Sequence, residues 1–230
     1  VVVSSTGNAG AAAAAYSAKK GYPCVVLTVS GAASVMMAQI RSYGAMTVAM
    51  ENKEDRWTIL QDAIQRLGWY PTSPYFGPPI GSNCYGVDGY KTIAYEICEQ
   101  LDWKVPDFCV FPVAYGDAIY GIWKGFSEWA EMGLINSIPR MVAGETADSL
   151  QVALREGVDA IPLRNPPFPS VAGSINVSQS TYQALHAIRK SNGLASTAPD
   201  ETLLELQSTL AIREGIYAEP CLLYTSPSPR

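Results

Sequence analysis

Short β-branched runs alternate with longer stretches of helical spacing along most of the chain, and this alternation constrains the fold more than any other property. Val1 to Val3 reads as a strand, Ser4 to Gly10 as a polar loop, and Ala11 to Lys20 as an alanine-rich helix closed by Gly21. Cys24 to Val29 and Thr47 to Met50 are β-rich, and Ala33 to Tyr43 between them has helical spacing. Glu54 to Leu67 places Trp57, Leu60, Ile64 and Leu67 on one helical face, with acidic residues in its first turn and Gly68 beyond its end. Strands that alternate with helices in this way require parallel sheets covered on both faces and joined by right-handed crossovers. An α/β fold is therefore expected.

The pattern breaks from Trp69 to Val87, a stretch rich in Pro, Gly and Tyr that includes Pro71, Pro74, Pro78 and Pro79. A loop this long within a compact chain is functional or lies between domains. Alternation then resumes: helices are predicted over Asp88 to Leu101, Asp117 to Met132, Gln179 to Lys190 and Asp200 to Arg213. Strands are predicted over Phe108 to Val113, Met141 to Gly144 and Ile161 to Leu163, and a second proline-rich loop over Arg164 to Ser174. Two domains are expected, a small one over residues 1–75 and part of a larger one over 76–220. The opening on Val1-Val2-Val3, a strand with no preceding turn, reads as a chain cut at its start. Residues 221–230, with Pro227 and Pro229, read as a non-native tail similar to translated sequencing-adapter sequence.

The composition fits a folded protein with a large core. The chain is 48% hydrophobic and 16% charged, with 16 Lys and Arg against 21 Asp and Glu, a net charge of -5. That is too apolar for disorder, and it lacks the clustered cations that phosphate backbones need, so nucleic acid is not an expected partner. No run approaches the ~18 apolar residues of a membrane span, and the N-terminus has no leader pattern, so a cytoplasmic protein without membrane association is expected. The five cysteines, 24, 84, 98, 109 and 221, contain no Cys-x-x-Cys pair, and His186 is the single histidine. Neither a disulfide framework nor a metal site is expected, and His186, set between Leu185 and Ile188, reads as structural.

Two strand-to-helix junctions carry the chemistry. The first, Ser5-Thr6-Gly7-Asn8-Ala9-Gly10, combines hydroxyls, an amide and two glycines at a helix N-terminus, where free N–H groups and the helix dipole favour an anion. Such a loop suits a carboxylate or phosphate, but the same residues also make an ordinary helix cap, and both readings stay open. The second, Ala114-Tyr115-Gly116-Asp117-Ala118, feeds the helix bearing Gly121, Trp123, Lys124 and Gly125. Asp117 is a good cap residue, yet beside a phosphate it would repel. Gly89-Tyr90-Lys91-Thr92 lacks the glycine spacing of a P-loop, and neither a dinucleotide fingerprint nor a Gly-x-Ser-x-Gly elbow is present.

Five stretches, in order, carry a resemblance: Ser-Ser-Thr-Gly-Asn-Ala-Gly at 4–10, Gly-Tyr-Lys-Thr-Ile-Ala-Tyr-Glu-Ile at 89–97, Gly-Ile-Trp-Lys-Gly-Phe at 121–126, Ser-Thr-Tyr-Gln-Ala-Leu at 180–185, and the Glu214-to-Pro220 segment. Across residues 1–220 the chain resembles the PLP-dependent enzymes of the tryptophan synthase β-like superfamily (fold type II), and within it the threonine synthases. The resemblance implies a two-domain, three-layer parallel-sheet architecture, incomplete here at both ends, with pyridoxal 5'-phosphate in the cleft between the domains. It implies that Ser5, Thr6 and Gly7 bind the carboxylate of a small amino-acid substrate, that Asn8 hydrogen-bonds the cofactor ring oxygen, and that Ala114 to Ala118 cradle the cofactor phosphate. In the loop 114–118 only Gly116 keeps the freedom of a glycine-rich run, so the side chains must point away. A homodimer is one assembly open to the full-length protein.

The same resemblance places the Schiff-base lysine before Val1, because none of the seven lysines (19, 20, 53, 91, 104, 124, 190) occupies its motif. It places the hydroxyl that faces the pyridine nitrogen beyond Pro220. An inactive fragment of a threonine-synthase-like lyase acting on O-phosphohomoserine is expected. Gly86 stands where an arginine would help hold the substrate phosphate, and a glycine cannot replace a guanidinium fork. A threonine or serine dehydratase or a diaminopropionate ammonia-lyase is therefore an alternative. A non-catalytic α/β protein that binds a small carboxylate through residues 5–10 is an alternative of another class, and the missing glycine fingerprint disfavours a nucleotide-binding domain.

Overall fold

A computed structural model describes residues 1–32, 34–52, 55–73, 82–164 and 170–225. The chain divides into two compact units, Val1–Asn83 and Cys84–Arg230.

In the first unit, strands β1 (Val2–Ser4), β2 (Val25–Val29) and β3 (Met46–Met50) form a parallel sheet in the order β1-β2-β3. Helices α1 (Asn8–Lys20), α2 (Ser34–Ser42) and α3 (Asp55–Leu67) connect or follow the strands. The period-2 alternation of the strands divides their side chains between two apolar layers. Val3 and Val26 pack with Ala11, Ala14, Met37 and Ile40 of α1 and α2. Val2 and Leu27 pack with Leu60 of α3 on the opposite face. Leu60 is fully buried, which contributes about 1.5–3 kcal/mol.

The second unit repeats this plan with β4 (Phe108–Pro112), β5 (Arg140–Gly144) and β6 (Leu194–Ser196), again parallel and in sequence order. Its helices are α4 (Cys84–Gly89), α5 (Lys91–Gln100), α6 (Asp117–Glu131), α7 (Ser149–Glu156), α8 (Tyr182–Lys190) and α9 (Asp200–Glu214). The main core gathers Ile119, Ile122 and Phe126 of α6, Met141 of β5, Leu150 of α7, and Leu185 and Ile188 of α8. The helix α6 lies unusually close to α4 and α5. A Cβ on Gly121 would collide with the Val87 carbonyl oxygen, and one on Gly125 would stand 2.9 Å from both the Ala94 Cβ and the Lys91 carbonyl oxygen.

Several elements differ from the sequence expectation. The helix expected over Asp88 to Leu101 is two helices, because the N–H of Tyr90 bonds back to Val87 and that of Ile93 to Tyr90, tight turns that interrupt the regular ladder after Gly89. The strand expected at Ile161 to Leu163 does not form. The Ile161 carbonyl instead accepts from the Gln179 side chain at 2.6 Å, and Ile161 packs into the core as part of an irregular segment. Helix α8 starts three residues later than Gln179, at a cap formed by Thr181, whose hydroxyl accepts from the Ala184 N–H. The sequence reading assigns neither the helix α7 nor the strand β6; three residues are too few for β6 to show a period, whereas α7 is amphipathic and buries Leu150, Val152 and Ala153. Pro220–Thr225 forms a 3-10 helix whose Cys221 and Leu223 are buried against Leu203 of α9, while residues 226–230 lie outside the described residues. So do residues 74–81 and 165–169, parts of the two proline-rich loops. No helix among the described residues is long and apolar enough to cross a membrane.

Candidate active site

In the first unit the junction between β1 and α1 is closed by its own serine. The Ser5 hydroxyl accepts from the N–H groups of Gly7, at 3.2 Å, and Gly10, at 3.0 Å, and so satisfies the Gly7 donor and shares that of Gly10 with the Gly7 carbonyl. Gly10 packs tightly, since a Cβ there would stand 3.1 Å from Val26. Around Gly7, by contrast, an added Cβ would meet nothing within 4 Å, so the backbone is open to approach. Thr6 and Asn8 are exposed beside it. Capping and ligand-accessible positions thus fall on different residues of one loop.

In the second unit the loop between β4 and α6 is held from behind. The Val113 N–H donates to the Gly144 carbonyl at 2.8 Å. The Ser180 hydroxyl donates to the Ala114 carbonyl at 2.7 Å, and the Thr181 hydroxyl to the Tyr115 carbonyl at 2.5 Å. Gly116 is buried in the left-handed region at φ +79°, and an added Cβ would collide with Ala184 of α8. Only glycine meets both conditions. Ala114 packs against the cluster around Leu203, and Ala118 against the main core. Among the described residues no side chain caps the α6 N-terminus, whose cap position is Gly116, and the Asp117 carboxylate accepts from the Gln183 amide. The backbone thus lines the helix tip, with the two alanine side chains packed elsewhere, an arrangement that fits a phosphate group.

Behind this loop runs a buried polar chain that the sequence did not reveal. Glu145, just after β5, accepts from the Ser149 hydroxyl at 3.0 Å and from the N–H groups of Leu150 and Gln151 at 3.0 and 2.8 Å. Ser149 in turn accepts from the Ser180 N–H at 3.2 Å. Burial pushes the Glu145 carboxyl above its usual range, against the opposing pull of the three donors. The stretch 180–185 stood out by resemblance, but nothing in its composition indicated that its polar residues grip the distant loop.

Several other ionisable residues are held in structural contacts. Lys91 pairs with Glu128 at 2.7 Å and Asp88 at 3.2 Å, and these bonds raise its pKa, so its amine is held protonated and is a poor nucleophile. Lys124 pairs with Asp88. His186 sits among the rings of Tyr120, Trp123 and Tyr182. Burial pushes the thiols of Cys109 and Cys221 up to about 11. Among the described residues no group of three or more His, Cys, Asp or Glu is placed to hold a metal ion.

Known proteins share both the sequence and the fold. The threonine synthase of Methanocaldococcus jannaschii is 36% identical over 220 residues, covering 94% of this chain and 53% of that protein. The threonine synthase of Methanosarcina acetivorans is 36% identical over 225 residues, covering 96% and 54%. The chain therefore spans about half the length of the curated relatives it matches. Among solved structures, maize serine racemase superposes with a TM-score of 0.78 at 19% identity, covering 99% of this chain and 66% of that one. The threonine deaminase isoform 2 of Solanum lycopersicum, in its processed form, superposes with a TM-score of 0.76 at 16% identity, covering 97% and 58%. These two likenesses establish a fold type II architecture. The model of the family "Pyridoxal-phosphate dependent enzyme" matches residues 1–222, and the chain belongs to that family.

Proposed function

We propose that this chain is part of a lyase that eliminates or replaces a leaving group on an amino acid with the help of pyridoxal phosphate, as a threonine synthase does with O-phosphohomoserine. The observation that carries the reading is the α6 N-terminus, a glycine-pinned helix tip with no side-chain cap among the described residues, at the carboxyl end of a parallel strand, where ligands of such sheets bind. When bound, the cofactor supplies an electron sink for negative charge at the substrate α-carbon. By the resemblance, the N–H groups of residues 114–118 would hold its phosphate, Asn8 would bind its ring oxygen, and Thr6 and Gly7 would bind the substrate carboxylate on a loop whose shape Ser5 holds. The ion-paired state of Lys91 supports the view that the 230 residues alone do not turn over substrate.

A second reading is favoured by Gly86, an exposed residue of α4 that provides no cation for a substrate phosphate. It makes the parent enzyme a threonine or serine dehydratase or a diaminopropionate ammonia-lyase. The test is an assay of the full-length protein with PLP against O-phosphohomoserine, threonine, serine and diaminopropionate. Release of phosphate and threonine from the first substrate supports the first reading, and release of ammonia from the others supports the second. Inertness toward all four, together with no borohydride-trapped PLP adduct, overturns both.

A further inference from the structure

We infer that Ser180, Thr181 and Gln183, at the start of α8, are positioning residues that aim the loop 114–117 at a phosphate. The inference rests on the pyridoxal-phosphate reading and extends it to residues that touch no ligand. In a trans peptide the carbonyl of one residue and the N–H of the next point in opposite directions. The Ala114 carbonyl is held by the Ser180 hydroxyl, so the Tyr115 N–H is turned away from α8. The Tyr115 carbonyl is held by the Thr181 hydroxyl, with a longer bond of 3.4 Å from the Gln183 amide, so the Gly116 N–H is turned the same way. Both N–H groups thereby join those of the first turn of α6, which point out along the helix axis.

Gln183 adds an electrostatic part. Asp117 occupies the first position of α6, where a carboxylate would repel a phosphate dianion. The Gln183 amide holds that carboxylate on the α8 side. Ser180 and Thr181 are almost fully buried, and the Ser180 N–H is tied through Ser149 to Glu145. The donors are therefore fixed before any ligand arrives, which reduces the ordering cost of binding.

The test compares pyridoxine 5'-phosphate with pyridoxine, two fluorescent probes with no aldehyde to react with surface lysines, titrated into the full-length protein freed of cofactor and into its variants. The wild-type chain should bind the phosphorylated probe, and inorganic phosphate should compete. Thr181→Val should weaken that probe roughly five- to tenfold, as expected for a lost hydrogen bond that aims a donor, while binding of pyridoxine changes little. Thr181→Ser, which keeps the hydroxyl, should restore wild-type affinity. Gln183→Ala should weaken the phosphorylated probe most at low salt, where the released Asp117 charge is least screened. Ser180→Ala and Gln183→Ala carry the same comparison should Thr181→Val fail to fold by circular dichroism. Variants that bind both probes like the wild type, or that lose both equally, overturn the positioning role while the pyridoxal-phosphate reading stands. A wild-type chain that binds neither probe overturns both.

Discussion

The carboxylate of Glu145 receives the hydroxyl of Ser149 at 3.0 Å while both residues are almost fully buried. With the Leu150 and Gln151 N–H groups also bound, Glu145 serves as the N-terminal cap of α7, supplied from the preceding strand end. Removing it leaves two buried donors, the Ser149 hydroxyl and the Leu150 N–H, and the part-buried Gln151 N–H without an acceptor. Glu145→Ala should lower stability by about 2–4 kcal/mol in urea unfolding. The pH dependence has a definite sign. A carboxyl whose pKa rises on folding contributes stability that is complete below its ordinary value of 4.5 and is lost as the pH climbs through the raised native value. The wild-type chain should therefore lose stability relative to Glu145→Gln as the pH increases through the window just above 4.5. The opposite slope would mean that the three donors outweigh burial.

Replacing a helix-interior glycine with alanine ordinarily gains about 1 kcal/mol. At Gly121 the added methyl would strike the Val87 carbonyl oxygen and lie 2.7 Å from the Tyr90 Cβ. Overpacking against backbone costs about 1–3 kcal/mol, enough to cancel or reverse the gain. Gly121→Ala should destabilise the protein, with a lower urea midpoint. A raised midpoint would show that α6 does not dock this closely on α4.

Within the first junction, cap and ligand roles should separate. Ser5→Ala removes the acceptor of two N–H groups and should cost about 1 kcal/mol in thermal or urea unfolding. Asn8→Ala, at an exposed position, should change stability by less than about 0.5 kcal/mol and yet impair the full-length enzyme. Unchanged turnover in that variant would remove Asn8 from the ring-oxygen role.

Because His186 is the only histidine, its titration can be followed by NMR without assignment. Burial, and then the charge of Lys190, should hold its pKa below the ordinary 6.5. For a histidine depressed on folding, the associated stability is present above 6.5 and is lost as the pH falls through the lower native value. A measured value above 6.5 would contradict its placement among Tyr120, Trp123 and Tyr182.

The strands and helices of the first unit were legible because Val, Ile and Leu fall at period 2 or 3.6 and glycines mark the ends. The two junctions were legible for the same reason, since hydroxyls and glycines between a strand and a helix have few other uses. The Glu145 network was not. Its donors come from Ser149 and two backbone groups, and its continuation reaches Ser180, 31 residues beyond Ser149. No local pattern encodes a bond of that span. The strand at Leu194–Ser196 is three residues of weak propensity whose pairing is set by β5. The break at Gly89–Tyr90 depends on α6 lying close by, a tertiary contact that propensity does not carry.

Gly116, Gly121 and Gly125 lie along α6, and each faces a neighbouring helix across too little space for a methyl group. In a saturation library these three positions should favour glycine over every other residue, whatever substrate is used for selection. An evolving descendant would therefore inherit the tip of α6 little altered and diversify through segments that nothing pins.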